Sequence, residues 1–259
     1  MRPVTKSSGR LCSRPLRGRV GEPASLQRMA ASGRKRTYDG VMTSAAQQSD
    51  QFGAALERSR SLGAVIEETW RCLKDSDEPR LRVPAGLCGI SLDHGRAIRL
   101  LLSVSPPSAI ALLRPQYESF VRAVWARHAA RPGDLDRLLA PLTLESQQAA
   151  KRLPGVPDML AAIDKTGPRG AGALLARARE RLWDGLNSFI HGGIHPFRRG
   201  QEGYPLSLLT DLLKNANALS VLTLLVLAEL TDDPAIVEVL HALHWEFQDI
   251  LPPLEPFVS

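Results

Sequence analysis

A chain of 259 residues with 44% apolar content can bury a sizeable core, and with aromatics at only 5% that core falls to Leu, Ala, Val and Ile, which favour helix over strand. The net charge of +6 does not mark the folded part as a nucleic-acid binder, because residues 1–50 hold ten of the 33 bases and only three of the 27 acids, leaving the remainder close to neutral. Three cysteines without CxxC pairing (Cys12, Cys72 and Cys88) exclude a disulfide framework and suit a reducing, cytoplasmic setting.

Residues 1–43 are rich in Arg, Ser, Gly and Pro and lack sustained periodicity, which predicts a disordered basic tail. An organelle transit peptide has the same composition. Translation starting at Met29 or Met42 is the other account, favoured because Met42 stands just ahead of the first helical pattern. N-terminal sequencing of the native protein separates them. Residues 1–30 have no continuous apolar run of the secretory kind.

Residues 44–259 read as a single all-helical domain. Phe52, Leu56, Leu62, Ile66 and Trp70 recur at helical spacing over residues 50–73. "SDEPRLRVP" (76–84) reads as a linker. A second helix, over about 89–104, is stopped by Pro106–Pro107. The third, 108–128, carries Ile110, Leu113, Tyr117, Phe120, Val121 and Val124 on one face, with Pro115 predicting a kink or a later start. Residues 132–168 break into short helical pieces. A fourth long helix spans about 170–191, and another about 206–230. The last starts at Pro234, behind the capping pair Asp232 and Asp233, and runs to Ile250.

No segment alternates with period two, so the expected fold is an all-α bundle of five or six main helices. The most apolar run, residues 217–230, is about 14 residues, short of the roughly 20 that a membrane span needs. It reads as a core helix, and no membrane partner is expected.

The stretch least like packing material is "LNSFIHGGIHPFRRG", residues 186–200. At 100° per residue, Leu175, Ala178, Leu182, Leu186 and Phe189 share the core face of helix 170–191. Glu180, Asp184, Asn187 and His191 lie nearly opposite, with Arg177 beside them. Such a stripe is ordinarily a solvated face. A histidine in the last turn also gains from the helix dipole when protonated, without any catalytic role. In "LLRPQYESFVRAVW" (112–125), Arg114, Glu118 and Arg122 recur every four residues. On a surface these are i,i+4 pairs worth a few tenths of a kcal/mol. Facing a histidine on a neighbouring helix, they make an anion or phosphate site in which Glu118 orients the arginines.

"RPQYESFVRAVW" followed by "LNSFIHGG" resembles a group of bacterial helical proteins related to the HEPN superfamily (higher eukaryotes and prokaryotes nucleotide-binding), over roughly residues 45–250. The resemblance implies a HEPN-like fold and a homodimer that brings two motifs together to cleave RNA without metal. Its motif is an arginine four to six residues ahead of a histidine near a helix end, often with Asn or Asp after the arginine. Carried over, the histidine is His191 and the polar residue Asn187, but Leu186 stands at the arginine position. Arg114 or Arg122 from the neighbouring helix, or Arg198 and Arg199 from the following loop, are then the candidates to contact phosphate. His191 would be the general acid/base.

Metal chemistry is the rival. His191 and His195 are four apart, but the diglycine between them breaks the shared face. Glu238, His241 and His244 supply only one of the two Glu-x-x-His words that a di-iron bundle needs. Neither a metal nor another cofactor is expected. "GPRGAG" (167–172) is not a phosphate-cradling loop, and no GxSxG marks a serine nucleophile. Two functions follow: a HEPN-like protein acting on or binding RNA or nucleotide phosphates, in defence or toxin–antitoxin biology; or a non-catalytic helical module whose polar stripe binds a partner protein or an anion. Whether His191 and Arg114 or Arg122 converge on one point discriminates them.

Overall fold

A computed structural model of the chain describes residues 34–71 and 76–253, with side chains from residue 47 onward. Residues 46–259 form one compact unit; in the other, residues 1–45, only the opening of the first helix is described. The order is α1 (Arg34–Trp70), α2 (Pro79–Leu101), α3 (Pro106–His128), α4 (Pro132–Leu139), α5 (Leu144–Ala150), α6 (Val156–Thr166), α7 (Ala171–Ile190), α8 (Ile194–Glu202), α9 (Leu206–Thr231), α10 (Pro234–Glu246) and a 3-10 turn, Gln248–Ile250. No strand occurs among the described residues, as the absence of period-two patterning indicates. Six of the helices (α1, α2, α3, α7, α9 and α10) have 13 residues or more.

Three elements differ from the sequence expectation, each for a backbone reason. Helix α1 starts at Arg34 instead of near Ser44; no proline lies between Pro23 and Pro79 to stop it earlier. The expected disorder of residues 1–33 lies outside the described residues. Helix α2 takes in most of the expected linker, because Pro79 falls in its first turn, where a missing N–H is harmless. Pro84 and, in α3, Pro115 sit inside continuous helices. Helix α8 fills what reads as a loop, and its Pro196 also lies in a first turn.

Two apolar clusters hold the bundle. The larger joins α2, α3, α6, α7 and α9 and includes Leu56 of α1. The smaller joins Leu62 and Ile66 of α1, Leu92, Leu224 and Leu227 to α10 and the chain after it, through Phe247, Ile250 and Leu251. Helix α9 contributes to both. By length and composition it is the one helix among the described residues long and apolar enough to cross a membrane, yet Leu213, Ala216, Leu224 and Leu227 are buried within the bundle. It ends where Asp232 takes a left-handed conformation (φ 51°), and Asp233 then caps α10, its Oδ1 accepting from Ala235 N–H at 2.9 Å.

A thread of polar groups runs through this interior. Ser59 Oγ donates to Asn217 Oδ1 at 2.6 Å, and Asn217 Nδ2 donates to the Ile250 carbonyl at 3.1 Å. Gln116 Nε2 donates to the Ala216 carbonyl at 3.0 Å and to Ser220 Oγ at 3.3 Å. Ser91 Oγ donates to the Gln116 carbonyl at 3.0 Å. Gly95 of α2 lies against this group: a Cβ there would stand 2.8 Å from both Gln116 Nε2 and Ser220 Oγ.

Gly185 of α7 is the contrasting case, since an added Cβ meets nothing within 4 Å. Gly185→Ala is expected to raise stability by about 0.5–1 kcal/mol through helix propensity alone. A higher urea midpoint at unchanged slope is the readout.

Candidate functional site: the polar seam between α3 and α7

Arg114 on α3 meets Trp183 and Asn187 on α7; Glu118 and Arg122 continue its row at spacings of four, as Arg179 does that of α7. Such rows are the ridges through which helices pack. The helices run antiparallel here, since Arg114 bonds to Asn187 while Tyr117, further along α3, reaches back to Leu175. The Tyr117 hydroxyl donates to the Leu175 carbonyl at 2.7 Å. Burial pushes its pKa up, Arg179 opposes that rise and Glu118 adds to it, so the phenol stays a neutral donor.

Arg114 is the node of the seam. Its Nε donates to Glu118 Oε1 at 2.7 Å, its Nη1 donates to Asn187 Oδ1, and its guanidinium lies 4.2 Å from the Trp183 ring. Arg179 lies 4.4 Å from the same ring. Cation–π contacts of this kind contribute about 0.5–2 kcal/mol, more as water is excluded. The Arg114 and Glu118 side chains keep only 21% and 28% of their exposure, so the pair is held in the seam and not waving in solvent.

Two arginines of the seam are less fully engaged. The Nε of Arg122 and the Nε of Arg179 are both buried without a hydrogen-bond partner. Leaving such a group unsatisfied costs about 1–3 kcal/mol, more when it is charged. The antiparallel arrangement places both on the same half of the seam, since Arg122 follows Glu118 on α3 and Arg179 precedes Trp183 on α7.

The residues singled out in the sequence thus divide. Arg114, Glu118 and Asn187 meet. Arg122 stands one turn further along α3. His191 is the exposed C-cap of α7; its backbone N–H donates to the Asn187 carbonyl at 3.0 Å, and its imidazole makes no hydrogen bond or ion pair among the described residues. Arg198 and Arg199 lie on α8, turned to Glu202 at 2.6 Å and 4.0 Å. Leu186 is buried in the larger cluster. Among the described residues, no group of three or more His, Cys, Asp or Glu is placed to hold a metal ion.

The diglycine after His191 has a structural role. Gly192 takes φ +64°, and Gly193 N–H donates to the Ser188 carbonyl at 2.7 Å, the long bond of a Schellman stop. A Cβ on Gly193 would stand 2.6 Å from Ser188 Oγ, which accepts from His195 N–H at 3.0 Å to start α8. Arg179 and Trp183 are the seam residues that sequence reasoning missed. Their spacing of four, in register with Asn187, was the available signal.

Comparison with curated proteins and with solved structures finds no match. The model of a family of unknown function, DUF6988, matches residues 88–253. That range holds both rows of the seam, along with His191 and α8. It covers well over half of the chain, which therefore belongs to the DUF6988 family.

Proposed function

We propose that this protein is a non-catalytic helical binding module whose α3–α7 seam receives an anionic group, the phosphate of a nucleotide or RNA, on Arg122 and Arg179. The observation that carries this reading is the division of labour among the arginines. Arg114 is committed to Glu118, Asn187 and Trp183, whereas Arg122 and Arg179 keep a buried Nε without an acceptor. Guanidinium groups offer paired donors that match phosphate oxygens.

Fluorescence anisotropy with labelled nucleotide and short RNA tests it. The double variant Arg122→Gln/Arg179→Gln is expected to bind roughly tenfold more weakly or worse, from the loss of charge-assisted hydrogen bonds. His191→Ala is expected to bind as the parent does. Equal affinity in the double variant and the parent would sink the reading.

A ribonuclease of HEPN kind is the second reading, favoured by one observation: the His191 imidazole is exposed and unengaged at a helix end. Among the described residues of one chain no arginine joins it, and a homodimer would bring one from the second copy. RNA left equally intact by the parent and by His191→Ala, at matched concentrations, removes this reading.

A further inference from the structure

Away from the α3–α7 seam, a second cleft opens between α1 and α2. Glu67, Trp70 and Arg71 of α1 and Gly89, Leu92, Asp93 and Arg96 of α2 line a cavity of about 270 Å3. A glycine keeps part of it open. A Cβ on Gly89 would meet only Trp70 Cζ2, at 4.0 Å, so a longer side chain at 89 would take up room beside the indole. Trp70 is half-buried and Leu92 is buried, which gives the lining one aromatic and one aliphatic surface.

The charged lining residues are not equally engaged. Arg96 donates to Asp93 at 2.6 Å and Arg71 to Glu68 at 2.5 Å, so each cation of the lining already holds a carboxylate. Glu67 is half-buried, and its carboxylate makes no hydrogen bond or ion pair among the described residues. It acts only from a distance, on the charge of Arg99. Arg99 is 5% exposed and packed on the α1 backbone, where a Cβ on Gly63 would stand 2.6 Å from Nη2; it is no part of the cleft lining.

We propose that the α1–α2 cleft binds a small organic monocation, an amine with a compact apolar body, its ammonium on Glu67 and its body against Trp70 and Leu92. An anion entering the cleft would have to draw an arginine away from its carboxylate, whereas a cation meets a carboxylate with no donor on it. An ammonium gains a charge-assisted hydrogen bond from a carboxylate and a further attraction from the face of an indole, and both strengthen as water leaves. The volume suits a compact ligand. The site is independent of the seam, and its failure would leave the seam untouched.

Thermal unfolding of the full chain at neutral pH and constant ionic strength tests the proposal, with benzylamine as probe, benzyl alcohol as its neutral counterpart and benzoate as the anion. Benzylamine is expected to raise the midpoint in a dose-dependent way, as any ligand of the folded state does, while benzyl alcohol and benzoate do not. Glu67→Gln is expected to bind benzylamine roughly tenfold more weakly or worse, through loss of the charge-assisted bond. Gly89→Leu is expected to abolish the shift by occupying the cleft. Helix propensity favours leucine over glycine and its Cβ has room, so this variant provides the test if Glu67→Gln, which also takes a compensating charge from Arg99, does not fold. No shift with benzylamine, an equal or larger shift from benzyl alcohol or benzoate, or an undiminished shift in Glu67→Gln or Gly89→Leu would each overturn it.

Discussion

Gly95→Leu is expected to destabilise the protein by about 3 kcal/mol or more, combining overpacking of a close helix crossing with the loss of buried hydrogen bonds. The first atom of any side chain at 95 would already stand 2.8 Å from Gln116 Nε2 and Ser220 Oγ. Ser220 can rotate, but the Gln116 amide has nowhere equivalent to go. It is fully buried, its Nε2 bonds to Ala216 and Ser220, and its Oε1 already lacks a partner. Even Gly95→Ala should lose stability, although helix propensity favours alanine by about 1 kcal/mol. Urea denaturation of Gly95→Ala beside Gly185→Ala is the informative comparison. If both variants gain stability alike, α2 and α9 do not cross as closely as described.

Asn217→Leu is expected to cost about 2–4 kcal/mol, since the substitution keeps the branched shape of the side chain but leaves two buried groups without partners. They are the Ser59 hydroxyl, fully buried on α1, and the carbonyl of Ile250, a residue only 1% exposed. Asn217 on α9 therefore joins the first helix to the last turn of the fold. On the outside, Arg58 grips the same C-terminal turn through both oxygens of Asp249, at 2.8 Å and 2.9 Å, and through the Glu246 carbonyl. Arg58→Ala should lose much less, because that pair is exposed and screened. Hydrogen exchange at Ile250 and Leu251 should quicken more in Asn217→Leu than in Arg58→Ala. The opposite order would show that the surface clamp, not the buried amide, holds the turn at Gln248–Ile250.

The fold was legible because helical periodicity is strong where apolar faces are continuous, as in α3, α7 and α9. Boundaries were harder to read where proline decided them. Pro79 and Pro196 look like breakers in a sequence, and a first turn has no use for their missing N–H groups. The site was half legible. The row Arg114, Glu118, Arg122 was visible by its spacing, but the helical wheel grouped Asn187 with His191, and only 40° of rotation separates a seam from a surface. Helix α3 packs on the flank between the leucine face and His191, which pulls in Arg179, Trp183 and Asn187 and leaves His191 outside. Arg99 was illegible altogether, because its burial depends on a glycine 36 positions earlier in the chain.

The smaller apolar cluster bears on how this family can be studied in pieces. The shared region begins at Cys88, inside α2, whereas Leu62 and Ile66 of that cluster come from α1. A fragment trimmed to residues 88–253 would bare Leu92, Leu224 and Leu227 together, an oily strip that water disfavours and that a second fragment would cover. Self-association of such a fragment would report the missing helix, not a natural assembly. Boundaries for expression belong upstream of residue 46, where the compact unit begins.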